Sequence, residues 1–146
     1  MSQFEEKIQK FLSIRLSKAQ TINAYMKMQL VSYDEQKKTV VLSFPVETWQ
    51  LNPAGQMHGG LICTALDITM GCACYVSSAA DFTPTIQMSV NFNSGIKEGS
   101  ILVIEGICDH AGSRMGQVRA IARIQESDAV VASANGSYAM NTARNT

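Results

Sequence analysis

The sequence predicts an α+β domain in which one long helix packs against a six-stranded antiparallel sheet. Three observations carry this. Residues 58–78 form an apolar run without a Lys or Arg, and a helix that is apolar on every face is buried on every face. Around it lie segments in which apolar and polar residues alternate, the period of half-buried strands. The elements fall in the order helix, two strands, long helix, four strands. Short turns join the last four strands, which are therefore expected as consecutive antiparallel neighbours.

The first helix is read over residues 3 to about 13. Ser2-x-x-Glu5 is a capping-box pattern. Phe4, Ile8, Phe11 and Leu12 form one apolar stripe, with Glu5, Glu6, Lys7 and Lys10 opposite. Residues 14–23 carry no clear pattern beyond a short helical turn. From about Ala24 the period changes: Met26, Met28 and Leu30 alternate with polar residues, Asp34–Lys38 is a polar turn, and Val40, Leu42, Phe44 and Val46 alternate strictly. This predicts a hairpin. Trp49 is expected to plug one edge of the core.

The long helix, from His58 to about Ser78, is rich in small residues (Gly60, Cys63, Ala65, Gly71, Cys72, Ala73 and Cys74), which let a sheet wrap closely about it. Pro84 blocks its continuation. Ile86, Met88, Val90 and Phe92 then alternate with polar residues in the cleanest strand of the chain. After the turn Ser94–Gly99, residues 101–108 form a near-continuous apolar strand. Asp109–Gly116 is a Gly-rich connection, Val118, Ala120, Ala122 and Ile124 mark another strand, and a last one runs from about Ala129 to Met140. Asn141–Thr146 is read as a loose tail.

The 146 residues read as a single domain, 1–146. Twelve basic and twelve acidic side chains cancel, so no nucleic-acid partner is expected. No apolar stretch follows Met1–Lys7, so no signal peptide is expected. The run 61–80 has the length of a membrane span, but Asp67, Gly71, Ser77 and Ser78 dilute it, and a buried core helix fits better than a membrane segment. Cys63, Cys72, Cys74 and Cys108 are read as packing residues. Cys72 and Cys74 point about 200° apart on a helix and cannot share a metal. A reduced, cytoplasmic protein without metal, disulfide or cofactor is expected.

The stretch Asn52–Asp67 organises the chain. Asn52-Pro53 and Ala54-Gly55 are turn signals, and His58-Gly59-Gly60 leads straight into the long helix. Glycines at a helix start expose backbone N–H groups where the dipole favours negative charge. Asp67, inside the apolar helix, has no Lys or Arg at i±3 or i±4 for a local ion pair.

These residues resemble the hotdog-fold acyl-CoA thioesterases, the phenylacetate-pathway (PaaI-like) branch in particular. The resemblance covers nearly the whole chain and rests on Asn52, Gly55, His58-Gly59-Gly60 and Asp67 at the eighth position after Gly59. Thr85 at the opening of the next strand and the Gly112-x-Arg114 loop agree. The resemblance implies hydrolysis of a thioester between coenzyme A and an acyl group. It also implies a homodimer that pairs its sheets, commonly two such dimers as a tetramer. Asp67 matches the catalytic carboxylate and Gly59 the residue whose N–H polarises the carbonyl. His58 and Asn52 match the pair that orders the loop and the leaving-group side, and Thr85 a hydroxyl that helps position water.

Thioester hydrolysis needs a donor where charge develops on oxygen and a base or nucleophile at carbon. Gly59 N–H supplies the first. Asp67 supplies the second, either by deprotonating water or by direct attack; the sequence leaves both open. Asp67 lies eight residues after Gly59, about 12 Å along the helix axis, while both groups act within about 3–4 Å of one carbon. If both are catalytic, the site is shared between subunits.

Each assignment has a plainer structural reading: Asp67 as an interface pair, His58 as a cap or brace, Gly59 and Gly60 as packing requirements, Thr85 as an ordinary strand residue. Lys97, His110 and Arg114 are candidates for the phosphates of coenzyme A, or else solvated charges. Met70, Tyr75 and Phe82 are candidates for the acyl pocket. The alternative function is a hotdog module that binds acyl-CoA without cleaving it. Asp67 in register disfavours it, and the short first helix is no DNA-binding segment. A hydratase of the same fold needs a differently placed His–acid pair.

Overall fold

A computed structural model describes residues 1–142. The chain forms α1 (Gln3–Ser17), α2 (Ile22–Tyr25), β1 (Gln29–Asp34), β2 (Thr39–Pro45), a 3-10 turn (Thr48–Gln50), α3 (Gly59–Val76), β3 (Thr85–Phe92), β4 (Ile101–Ala111), β5 (Met115–Ile124) and β6 (Val130–Ala139). The six strands make one sheet in the order β1-β2-β4-β5-β6-β3, and every neighbouring pair is antiparallel. The sheet wraps around α3, which is the hotdog fold.

The close approach of helix and sheet follows from residue size. Leu102, Ile104 and Cys108 of β4, Val118, Ala120 and Ala122 of β5 and Ala132 and Ala134 of β6 are buried, as are Ala65, Cys72, Ala73 and Cys74 of α3. The middle of this concave face is mostly Ala, Gly and Cys. At Gly106, a Cβ would stand 3.1 Å from the Thr69 carbonyl oxygen and 3.4 Å from the Ala73 Cβ. Among the described residues α3 is the one helix long and apolar enough to cross a membrane, and most of it is enclosed by the sheet.

The helix α1 begins at Ser2, whose hydroxyl accepts from Glu5 N–H at 3.1 Å. Phe4, Ile8 and Phe11 are buried. Lys7 Nζ donates to the Ser78 and Ala80 carbonyls at 2.7 and 2.9 Å, so α1 closes off the C-terminal end of α3.

Several expectations are corrected. The helix α1 runs to Ser17, because residues 14–17 contain no Gly or Pro and helix propensity continues where the apolar stripe stops. The strand β1 starts at Gln29. Met26 and Met28 are fully buried in the connection before it, so their alternation reflects core-plugging rather than a strand. Trp49 is 47% exposed and packs on Tyr25 with ring centroids 6.0 Å apart. Gln50 turns inward in its place. The supposed connection Asp109–Gly116 is mostly strand, since β4 reaches Ala111 and β5 starts at Met115.

The strand order also differs. Three of the last four strands, β4-β5-β6, are sequential neighbours, but β3 pairs with β6 at the sheet edge. The cause lies in residues 93–100. Asn93 and Ser94 donate to the Val131 carbonyl, the Ile96 carbonyl accepts from Met57, and Gly99 donates to the Val46 carbonyl. With Ile96 fully buried, this segment crosses past the loop before α3 and delivers the chain beside β2. Ile86 and Phe92, apolar residues of the free edge strand, stay exposed. Asn141 bridges to Phe82; the remainder of the expected tail, residues 143–146, lies outside the described residues.

The tight helix–sheet contact is testable. Gly106→Ala is expected to lower stability by about 1–3 kcal/mol through overpacking, read as a shift of the urea midpoint with an unchanged slope. A variant as stable as wild type would show that the helix and sheet can separate freely there.

Candidate active site

The loop before α3 is built by Asn52. Its side-chain oxygen accepts from Ala54 N–H at 2.9 Å and Gln56 N–H at 3.1 Å. Its own N–H donates to the Gln56 carbonyl at 2.7 Å, and its carbonyl accepts from Gly55 at 3.0 Å. Gly55 takes φ +78°, the left-handed region that glycine enters without penalty. His58 N–H donates to the carbonyl of buried Gln50 at 2.7 Å, which fixes where the helix begins. His58 Nδ1 accepts from Gly60 N–H at 2.9 Å and caps α3.

Gly59 is then the first helical residue, and its N–H donates to no group among the described residues. The Phe92 ring lies over it: a Cβ built there would stand 3.4 Å from the ring, an ordinary van der Waals contact. The helix N-terminus thus offers an unfilled N–H in a partial positive field.

Asp67 lies at the middle of the same unbroken helix, about 12 Å along the axis from Gly59. It is half-buried between buried Leu66 and Ile68. Its Oδ1 accepts two hydroxyl protons: Thr85 Oγ1 at 2.6 Å and Tyr138 OH at 2.8 Å. The Tyr138 hydroxyl also lies 3.3 Å from the Asp67 carbonyl oxygen. Two donors on one oxygen hold the carboxylate plane and leave Oδ2 without a hydrogen bond among the described residues. Burial pushes the Tyr138 phenol well above its ordinary value of 10.0, and the Asp67 carboxylate adds to that. The phenol therefore remains a proton donor to Asp67.

Thr85 and Tyr138 face each other across β3 and β6, so the strand order itself brings both hydroxyls to one carboxylate. Sequence reasoning finds Thr85 and misses Tyr138. The available signal was its place after Ala132, Ala134 and Gly136 on the inward side of β6, where a buried Tyr needs a partner for its hydroxyl.

Asp67, Thr85 and Tyr138 open onto a cleft of about 300 Å³, walled by Phe11, Phe82 and Arg15. A second cleft of about 320 Å³ adjoins it, shares Arg15 and Phe82, and is lined further out by Lys10, Lys18 and Tyr75.

The remaining predicted residues are spread. Gly60 sits at the exposed helix start with its N–H held by His58. Met70 is fully buried, close to Gly136, and does not line the cleft. Lys97 bridges to Gln56 beside the Asn52 loop, at the Gly59 end of α3. His110 is a β4 residue, and the Arg114 carbonyl accepts from Met140 N–H, near Tyr138 at the Asp67 end. One chain therefore does not gather Lys97, His110 and Arg114. Among the described residues no group of three or more His, Cys, Asp or Glu could hold a metal, and the four cysteines are free thiols.

The Tyr138 proton gives a pH prediction. An unfolded chain releases it near pH 10, while the folded chain holds it to higher pH, so unfolding gains from this group as pH rises above about 10. Tyr138→Phe lacks that proton. Its urea midpoint is expected below wild type at about pH 8, and the gap is expected to shrink as pH rises above about 10. A constant gap would contradict a buried phenol that keeps its proton in the folded chain.

Residues 54–131 match the sequence profile of the thioesterase superfamily. A Streptococcus mutans protein solved bound to acetyl CoA is 28% identical, with TM-score 0.71 over 81% of this chain and 91% of that one. The Escherichia coli PaaI protein from the phenylacetic acid degradation operon is 17% identical, with TM-score 0.79 over 94% of this chain and 95% of that one. Mouse thioesterase superfamily member 2 is 18% identical, with TM-score 0.80 over 97% and 100%. No curated protein matches the chain in sequence. The profile match spans more than half of the 146 residues and includes the Gly59 helix start and Asp67: the chain belongs to the thioesterase superfamily.

Proposed function

We propose that the protein hydrolyses acyl-CoA thioesters to the free acid and CoA, in a site completed by two copies of the chain. The observation that carries this is Asp67: a carboxylate at a cleft, oriented by two hydroxyls on one oxygen, with its other oxygen open. Superfamily membership supports a thioester hydrolase in general, and the acetyl CoA bound to the Streptococcus mutans relative supports CoA as the carrier.

In this reading the thioester carbon lies beside Asp67 Oδ2, and the carbonyl oxygen takes the Gly59 N–H of a second chain. The 12 Å between the two groups along α3 requires that second chain. Two α3 helices antiparallel across a twofold axis then give two equivalent sites. The free β3 edge, with exposed Ile86 and Phe92, supports pairing there, and two such dimers can assemble as a tetramer. Water attacks the carbonyl carbon as its proton passes to Asp67. The negative charge gathers on oxygen at the Gly59 N–H, and the carbon–sulfur bond breaks as Asp67 returns that proton to the leaving sulfur. Direct attack by Oδ2 to form an anhydride uses the same groups.

Thr85 donates its proton to Asp67, so it orients the base and has lone pairs left for water. His58, with Nδ1 accepting, carries its proton on Nε2 and serves the loop and the leaving-group side. Asn52 acts through the loop. A shared site also brings the Lys97 end of one chain toward the Arg114 end of the other, where basic groups meet phosphates. The free thiols support a reducing, cytoplasmic setting.

The test is thiol release from aromatic and short- to medium-chain acyl-CoA esters. Asp67→Asn is expected to lose about 10²-fold or more in kcat while remaining folded and assembled. A wild-type protein that binds the esters without releasing thiol would make this a binding module instead.

A further inference from the structure

The Asp67 cleft holds a cation that the hydrolysis described above does not use. Arg15, in the last turn of α1, is half-buried and lines both the cleft at Asp67 and the adjoining one. Its guanidinium carbon lies 3.5 Å over the Phe11 ring, which fixes its plane. Its hydrogen bond among the described residues, from Nη1 to the Phe11 carbonyl, is long at 3.5 Å and leaves most of its five donors unused. The ion pairs among the described residues are Lys27–Glu47, Arg119–Asp109 and Arg123–Asp128, so no carboxylate pairs with Arg15. Burial lowers the readiness of Arg15 to hold its charge, and a half-dry cation gains more from an anionic partner than a solvated one does.

The surroundings agree in sign. Lys10 and Lys18 line the outer cleft with Arg15, against a single carboxylate there, Asp81. Phe11, Ile68 and Phe82 line the same cleft as Arg15 and Asp67, together with Asn23 and Thr83. At about 300 Å³ the cleft is at the small end of ligand pockets. That suits a short acyl group. The phosphates of coenzyme A stand a whole pantetheine arm from the thioester carbon, too far for a group lining the same small cleft.

We propose that Arg15 is the specificity-determining residue of this site and selects acyl groups with a second carboxylate, the CoA half-thioesters of short dicarboxylic acids. The thioester lies at Asp67, the methylenes run along Phe11, Ile68 and Phe82, and the far carboxylate takes the guanidinium fork. This rests on the acyl-CoA reading of the site.

The experiment measures calorimetric binding of two non-hydrolysable CoA thioethers with chains of equal length, one ending in a carboxylate and one in a methyl group. Wild type is compared with Arg15→Leu, which keeps the packing on Phe11, and Arg15→Lys, which keeps the charge without the fork. The carboxylate analogue is expected to bind wild type about tenfold or more tighter. The preference should vanish in Arg15→Leu and survive in part in Arg15→Lys. Equal binding of both analogues by wild type, or a preference retained in Arg15→Leu, would overturn the proposal. So would an equal loss of both analogues and of free CoA in Arg15→Leu, which would place Arg15 on the phosphates. Thiol release from the matching esters separates the two readings: turnover without a carboxylate preference sinks only the role of Arg15, and a carboxylate preference without turnover sinks only the hydrolase.

Discussion

The contact between α3 and the inner face of the sheet is the constraint from which the rest follows. It works because the two surfaces are made of small residues. Gly106 meets the backbone of Thr69, and alanines of β5 and β6 line the same face. A helix held this closely cannot roll, so the angular position of Asp67 is fixed by packing. The inward Tyr138 of β6 then meets Asp67, and Thr85 arrives from β3 because β3 pairs with β6. The carboxylate is oriented by the same contacts that make the core.

That arrangement divides the chemistry along one helix. The N-terminus of α3 presents a free N–H at Gly59, and a point about 12 Å further on presents Asp67. A rigid helix cannot fold these onto one carbon, so the proposed reaction uses two chains. The apolar side chains left exposed on the β3 edge fit that requirement, and Phe92 of that edge lies over Gly59.

Much of this was legible in the sequence because it rests on local rules. The apolar run with small residues marks α3. The Asn-Pro and Gly-Gly signals mark its start, and a lone Asp in an apolar helix marks the candidate site. The position of β3 was not legible, since alternation gives a strand but not its neighbours. Its partner is set by where buried Ile96 drags the following segment. Tyr138 was missed for the same reason, because its bond to Asp67 spans 71 positions. Arg15 was missed because the apolar stripe of α1 fades before it, leaving propensity as the only signal. Trp49 misled because a large apolar residue reads as core, whereas the local 3-10 turn points Gln50 inward.

The central claim is that each site takes Asp67 from one chain and Gly59 from another. It is tested most directly by combining two inactive variants. Asp67→Asn removes the base. Gly59→Pro removes the N–H at the first helical position, where proline is tolerated. Each alone is expected to be inactive in thiol release. Co-refolded in equal amounts, half of the dimers are mixed, and each mixed dimer holds one intact site, so about a quarter of wild-type activity should return. A mixture no more active than its parts, with mixed dimers present, would contradict the shared site.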